Sequence, residues 1–289
     1  MNWIVIDREK CDTCGICTTR CLRVFSVDED NISADANEET CNLCGHCVAL
    51  CPAGAISHSL LDMENFIPVE DDISYDTDRF FTLVRSRRSH RSYKKKAIPR
   101  QDMEKLIEMC RYCPTGSNLQ TVEIKVITDP AKITELSDLT IAFFMGMITD
   151  VEKQTADFHS RGEEPPKELA VMNDFARRYK MLGQARDLGI DPILHKAPAV
   201  MVFHSAPSPS TPKDDCVIAA HTVVLGAMTM GLGTCYIGLL NFSANSSPAV
   251  KQALGLPGEN KVYSVIVLGY PRLKFLKTVD RKPIKAAWE

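Results

Sequence analysis

Apolar and polar positions change rhythm several times along this 289-residue chain. In PRQDMEKLIEMCRYCP, residues 99–114, Met103, Leu106, Ile107 and Cys110 recur at the spacing of one helical face. Pro99 suits a first turn and Pro114 stops the pattern, so the segment predicts an amphipathic helix. TVEIKVIT (121–128) alternates with period two, APAVMVFH (197–204) is a short apolar run, and VYSVIVLG (262–269) is rich in β-branched residues. Each predicts a strand. CVIAAHTVVLGAMTM (216–230) has too few polar positions for a solvated face, and predicts a buried helix capped by Asp214 and Asp215. Between these elements, residues 131–195 are charged and helix-prone and read as a helical insertion. The stretch 61–78 is acidic, proline-containing and aperiodic, which predicts a linker. The resulting division is a small domain over 1–60, the linker, and an α+β domain with a mixed sheet over 79–289.

Charge narrows the partners. With 34 basic and 37 acidic side chains the net charge is −3, so no global field draws the chain to nucleic acid or to an anionic membrane. The N-terminal MNWIVIDREK carries both charge signs within ten residues, which fits neither a signal peptide nor a spanning helix. The expectation is a cytoplasmic protein with no nucleic-acid or membrane partner.

Twelve cysteines sharpen the picture, because eight of them form two quartets: Cys11, Cys14, Cys17 and Cys21, then Cys41, Cys44, Cys47 and Cys51. In CxxCxxCxxxC the first three thiolates wrap one corner of a cubane from a tight loop, while the fourth lies too far along the chain to close it. In the bacterial two-cluster ferredoxin pattern that fourth cysteine serves the other cluster. One [4Fe-4S] cluster is thus expected on Cys11, Cys14, Cys17 and Cys51, the other on Cys41, Cys44, Cys47 and Cys21. Zinc also uses CxxC pairs but gives no reason for two reciprocal groups of four. Pro52 follows the second quartet as the pattern asks, whereas Leu22 takes that place after the first. His46, between two cysteines, is read as a solvated residue or one standing behind the ligands rather than as a ligand itself. Cys110, Cys113 and Cys216 match no motif and read as core thiols.

Four features of the larger domain call for a joint explanation. RSRRSHRSYKKK packs Arg85, Arg87, Arg88, Arg91 and three lysines into residues 85–96, a cluster suited either to forking a phosphate or to a solvated basic face. CPTGSNLQ offers Thr115, Ser117, Asn118 and Gln120, neutral groups suited to a polyol or a heterocycle edge. GLGTCYIG (231–238) follows a helix and precedes an extended segment, the reverse of a dinucleotide fingerprint, so a Rossmann site is rejected. Its glycines either let backbone approach a flat ring or simply cap the helix. Arg281 and Lys282 come late, before Pro283.

In this order the four features resemble the FMN-dependent nitroreductase family over residues 79–289, and with the quartets the chain resembles a ferredoxin-nitroreductase fusion of anaerobes. That resemblance implies an FMN phosphate and ribityl chain held by Arg87, Ser89 and Arg91, with Arg88 a neighbour. It carries the polar turn over to Thr115, Ser117, Asn118 and Gln120. It implies an isoalloxazine lined by the backbone of Cys235, Tyr236, Ile237 and Gly238, and late basic residues Arg281 and Lys282 reaching the phosphate. Thr121 and Val122 depart from the proline and aromatic residue common after the family's Gln. The resemblance also implies a homodimer with FMN at the subunit interface. Phe143, Phe144, Met145, Phe175 and Tyr179 then fit a lid over the flavin and the core of ordinary helices about equally.

The function expected from all this is an FMN and iron-sulfur oxidoreductase that reduces an electron-poor small acceptor: a nitroaromatic, quinone, enone or flavin. Electrons would come from an external ferredoxin or from NAD(P)H. Because cofactors carry the hard chemistry, no catalytic triad or acid-base pair is expected on the chain. The other class left open is an electron-transfer module that docks on a partner redox enzyme and has no small substrate of its own.

Overall fold

In the computed structural model, which describes residues 3–28, 31–34, 38–69, 75–208 and 210–289, contacts divide the chain into two units. The first comprises Met1–Asp76 with Ser117–Leu119, the second Thr77–Gly116 with Gln120–Glu289. Of the expected linker, residues 70–74 lie outside the described residues. Residues 61–66 contribute a helical turn at Met63–Asn65, capped by Asp62, to the first unit.

The first unit runs β1 (Ile4–Ile6), α1 (Ile16–Arg20), β2 (Phe25–Asp28), β3 (Asn31–Ala34), α2 (His46–Ala49) and β4 (Ile56–His58). β1 pairs with β4 and β2 with β3, all antiparallel. Its apolar core is small, built on Ile4, Cys17, Val24, Phe25 and Ile56. A core of that size supplies little stability by itself, which is why segments of this length lean on metals or disulfides.

The second unit runs α3 (Thr77–Ser86), α4 (Arg100–Arg111), β5 (Glu123–Ile127), α5 (Pro130–Ser160), α6 (Lys167–Tyr179), α7 (Met181–Asp187), β6 (Ala199–Ser205), α8 (Pro212–Thr229), β7 (Gly233–Tyr236), α9 (Gly238–Ser246), α10 (Pro248–Leu254) and β8 (Lys261–Gly269). Its sheet has the order β5-β6-β8-β7. The named strands pair antiparallel, and a one-residue bridge from Ser89 to Thr234 adds a parallel contact. Every residue of β6 is buried. Alternation explains how: Ala199, Met201 and Phe203 face α4 and α8, while Val200 and Val202 face α5, α9 and α10. With helices on both faces the strand needs apolar residues at every position, so it reads as a continuous run rather than an alternating one. Each fully buried Leu, Ile or Phe contributes about 1.5–3 kcal/mol.

Two expectations are corrected here. Asp214 and Asp215 do not cap α8. Pro212 is already helical and Thr211 stands at the cap, which places both aspartates in the first turn. Asp215 instead accepts from Thr211 Oγ1 at 2.9 Å and from Gly116 N at 3.0 Å. The stretch 131–195 is not a separable insertion either: Ile133, Leu136, Ile141 and Phe144 of α5 belong to the main core. Phe144, Phe175 and Tyr179 pack on one another, Phe175 and Tyr179 with ring centroids 4.1 Å apart, so these aromatics bind α5 to α6. Among the described residues no helix is long and apolar enough to cross a membrane.

Candidate cofactor sites

The two quartets fold into loops of the same conformation. The first passes through left-handed backbone at Thr13 and Gly15 before entering α1; the second does so at Leu43 and Gly45 before entering α2. Glycine takes that conformation freely, but Thr13 and Leu43 pay strain of the kind found at ligand clamps. The result is a tight wrap that turns three cysteines toward one side.

Two cavities sort the eight thiols. One is lined by Cys11, Cys14, Cys17 and Cys51 together with Ile6, Ala55 and Ile56. The other is lined by Cys21, Cys41, Cys44 and Cys47 together with Ile4, Val24, Phe25 and His58. Each fourth cysteine therefore stands in the other quartet's cavity. Burial pushes the Cys17 thiol up, with Cys11 and Cys14 adding to it. Burial likewise pushes Cys47 up to about 11, with Cys41, Cys44 and Cys21 nearby raising it further. Such thiols ionise only against a compensating cation. Backbone donors are already aimed at two of the sulfurs, Leu43 N at Cys41 Sγ (3.4 Å) and Ala55 N at Cys51 Sγ (3.3 Å). Among the described residues no three ligand side chains close on a single ion. Four thiols spaced around a cavity fit a cubane better than a lone zinc. His46 is exposed, as expected.

In the second unit the basic loop that follows α3 is fastened to the sheet edge. Ser89 bridges Thr234 of β7, and His90 N donates to Thr234 O at 2.9 Å. Further along, Tyr93 bridges Pro271, Lys94 N donates to Tyr270 O at 2.9 Å, and Arg272 N donates to Ser92 O at 3.0 Å. This brings Arg87, Ser89 and Arg91 onto Cys235. Burial raises that thiol's pKa, while the positive charges of Arg91 and Arg87 and hydrogen bonds from Ser89 and Arg91 oppose the rise. Arg88 is half-buried beside Phe275, its guanidinium carbon 5.8 Å from the ring centroid. Its Nε is buried and has no hydrogen-bond partner among the described residues. Two guanidinium groups and a hydroxyl converging at Cys235, on a loop that also carries an orphaned charged donor, fit a phosphate or another anion.

Gly233 permits this fastening. A Cβ there would stand 2.6 Å from His90 Cγ and 2.8 Å from Pro271 Cγ. Gly233→Ala is expected to push the loop off β7 at a cost of about 1–3 kcal/mol. Melting should fall by roughly 2–4 °C per kcal/mol, and flavin retention should fall with it. Thermal scans with and without added FMN check this.

The remaining expected residues sit elsewhere. Thr115 Oγ1 accepts from Gln120 N at 3.1 Å, and both line a separate surface hollow with Cys110 and Cys113. Ser117, Asn118 and Gln120 all have positive φ, and Asn118 Nδ2 donates to Asn42 O at 2.8 Å within the first unit. Cys235 and Ile237 are buried, Tyr236 is partly exposed, and Gly238 opens α9 with free space at its Cβ position. Arg281 and Lys282 lie in the extended, exposed segment after Tyr270, and among the described residues no hydrogen bond or ion pair ties them to the loop. Cys110 and Cys216 are buried enough to be pushed up to about 12, as core thiols should be, and Cys113 bonds Thr222 Oγ1 at 3.1 Å.

Two residues had no sequence signal. His58 stands against Cys41, Nε2 to Sγ 3.6 Å. His195, at φ 58°, is held by a turn in which Asp191 accepts from Ser137 Oγ and from the backbone of Ile193, Leu194 and Lys196. Burial lowers the His195 pKa, Asp191 raises it and Arg91 lowers it, which places the ring beside the basic loop.

Residues 84–270, well over half the chain, match the nitroreductase family, and residues 35–57 match the 4Fe-4S binding domain. A 4-nitrobenzoate reductase of Nocardioides sp. is 27% identical over 204 residues, covering 67% of this chain and 81% of that protein. Among solved structures, a nitroreductase with bound FMN from Bacteroides fragilis is 23% identical with a TM-score of 0.51, covering 73% of this chain and 100% of that one. A BluB-like flavoprotein from Clostridium difficile is 20% identical with a TM-score of 0.54, covering 71% and 94%. At these identities the two structures share the fold, and it is the 84–270 match that fixes kinship. The chain belongs to the nitroreductase family, an oxidoreductase with a 4Fe-4S binding segment joined ahead of its family domain.

Proposed function

We propose that this protein is an FMN and iron-sulfur oxidoreductase that carries electrons between two [4Fe-4S] clusters and FMN to reduce an electron-poor small acceptor such as a nitroaromatic, quinone, enone or flavin. The observation that carries the flavin half is the convergence of Arg87, Ser89 and Arg91 on Cys235 at the edge of β7, with Arg88 Nε in the same loop left without a partner among the described residues. Bound FMN takes up electrons singly and releases them singly or in pairs. The chain's own part is to hold and orient it. Arg87, Arg88, Ser89 and Arg91 bind the phosphate end, and the backbone of Cys235 to Gly238 lies along the ring. The FMN bound by the Bacteroides fragilis nitroreductase and the 4-nitrobenzoate reductase of Nocardioides sp. support this choice of cofactor and acceptor class.

The cluster half rests on the two four-thiol cavities. Cys11, Cys14, Cys17 and Cys51 hold one cluster, and Cys41, Cys44, Cys47 and Cys21 the other. Reduced thiols of this kind suit a cytoplasmic protein. A homodimer is favoured by apolar side chains left exposed on α3 (Phe80, Phe81), α8 (Val217, Ile218) and the last segment (Leu276, Trp288). In such a dimer Thr115, Asn118, Gln120, Arg281 and Lys282 of one chain complete the flavin site with the basic loop of the other.

Anaerobic mixing of the purified protein with NADH, NADPH or chemically reduced ferredoxin tests the direction of flow. Bleaching of the flavin only by ferredoxin is the expected result, with the clusters as the entry route. Rapid bleaching by a nicotinamide would make FMN the entry point, and flavin that no donor bleaches would refute the reading.

A further inference from the structure

β1 and β4 pair with Ile4 opposite His58, Val5 opposite Ser57 and Ile6 opposite Ile56. A two-fold axis through the Val5–Ser57 pair exchanges Ile4 with Ile56, and Ile6 with His58. The same exchange relates the two thiol cavities, since Ile6 and Ile56 line the first, and Ile4 and His58 the second. The walls contributed by this sheet thus match except at one place, where an isoleucine in one site is answered by a histidine in the other.

That histidine is 1% exposed, so its ring nitrogens need partners inside the protein. Nδ1 accepts from Leu60 N at 3.2 Å and therefore carries no proton. The ring proton of this neutral tautomer sits on Nε2, which lies 3.6 Å from Cys41 Sγ, within the longer reach of sulfur. Cys41 also takes Leu43 N at 3.4 Å. The first cavity has the Ala55 N bond to Cys51 and, at the place equivalent to His58, only the side chain of Ile6.

We infer that His58 is a positioning residue whose Nε2–H bond to Cys41 sets the cluster on Cys21, Cys41, Cys44 and Cys47 at a higher potential than its partner cluster. The inference rests on the two-cluster reading above. Reduction adds one negative charge to a cluster, and a donor aimed at a ligand sulfur stabilises that charge, so the reduced form gains relative to the oxidised one. An electron entering the pair comes to rest on the second cluster, and the first serves as its lower-potential neighbour.

The test is an anaerobic redox titration of the holoprotein followed by electron paramagnetic resonance. Wild type should show two separated reduction steps. His58→Met, which keeps bulk but loses the donor, should move the higher step down toward the lower one and leave the lower in place; His58→Gln, which keeps an N–H, should restore most of the separation. An unmoved higher step in His58→Met would overturn the inference. A second measurement needs no stable donor-less variant. In protein labelled with 15N-histidine, pulsed resonance of the reduced cluster should detect a weakly coupled histidine nitrogen that persists in His46→Gln and disappears in His58→Gln. Absence of that coupling in wild type also sinks the idea. Iron and sulfide counts separate the two levels: a wild-type count short of two clusters refutes the underlying reading, whereas a full count with no coupling refutes only the role of His58.

Discussion

Arg87→Ala combined with Arg91→Ala is expected to yield protein that purifies without flavin and still carries its iron. Both guanidinium groups bear on Cys235 from a loop already fastened to β7, so neither needs the fold to rearrange before meeting an anion. A hydrogen bond to a charged group contributes about 1.5–3 kcal/mol, and every 1.4 kcal/mol is a factor of ten in affinity. Losing one such bond from each arginine weakens FMN binding about 10²-fold or more by that arithmetic. Flavin absorbance per chain and a fluorescence titration with added FMN read the effect, and iron content serves as the control. Stoichiometric flavin in the double variant would remove the phosphate assignment. The loop itself should survive, because its ties to the sheet are main-chain bonds at His90, Lys94 and Ser92 that alanine leaves intact.

Removing Cys51 should cost the cluster of the first cavity, although Cys51 belongs by sequence to the second quartet. Iron and sulfide should fall to about half in Cys51→Ala, since a [4Fe-4S] cluster needs four ligands and each cavity has four. Pairwise variants identify which cluster has gone. Cys51→Ala with Cys14→Ala should remove nothing beyond the single variants, because both ligands serve one site. Cys51→Ala with Cys44→Ala should leave no cluster at all. The opposite pattern, with Cys51 and Cys44 redundant, would refute reciprocal ligation. This coupling logic depends only on which residues share a site, so it holds even if the surviving cluster is weakened.

Much of this was visible in the sequence because the signals were local. The quartets read as metal sites by spacing alone, and the α4 pattern holds in Met103 and Leu106. β6 was legible as an apolar run, since burial on two faces leaves no room for alternation. Other features depend on partners far along the chain. The start of α8 was misplaced because Pro212 can open a helix as well as break one, and only the bond from Asp215 back to Gly116, 99 residues away, shows what the aspartate is for. The long α5 was read as part of a charged insertion although its buried Ile133, Leu136, Ile141, Phe144, Ile148 and Val151 recur at helical spacing, and only the packing of that stripe shows that it belongs to the core. Asn118 and Gln120 could be named as polar turn residues, but where their left-handed turn carries them depends on tertiary packing. His58 lacked any signal, being a lone histidine at the end of a three-residue strand; its meaning comes from the cross-strand register.

The strand order of the larger unit also governs when the protein can be assembled. β8 lies between β6 and β7 yet comes last of the strands, and the bridge from Tyr93 to Pro271 joins points nearly the whole domain apart. During synthesis neither β6 nor β7 has its main partner until residues 261–269 have left the ribosome, so this sheet closes late and slowly. The first unit is different, since β1 and β4 are both complete by His58 and its cysteines precede that point. A nascent chain can therefore take up iron and sulfide while most of the flavin domain is still unmade. Flavin loading becomes the final step, gated by the arrival of one strand.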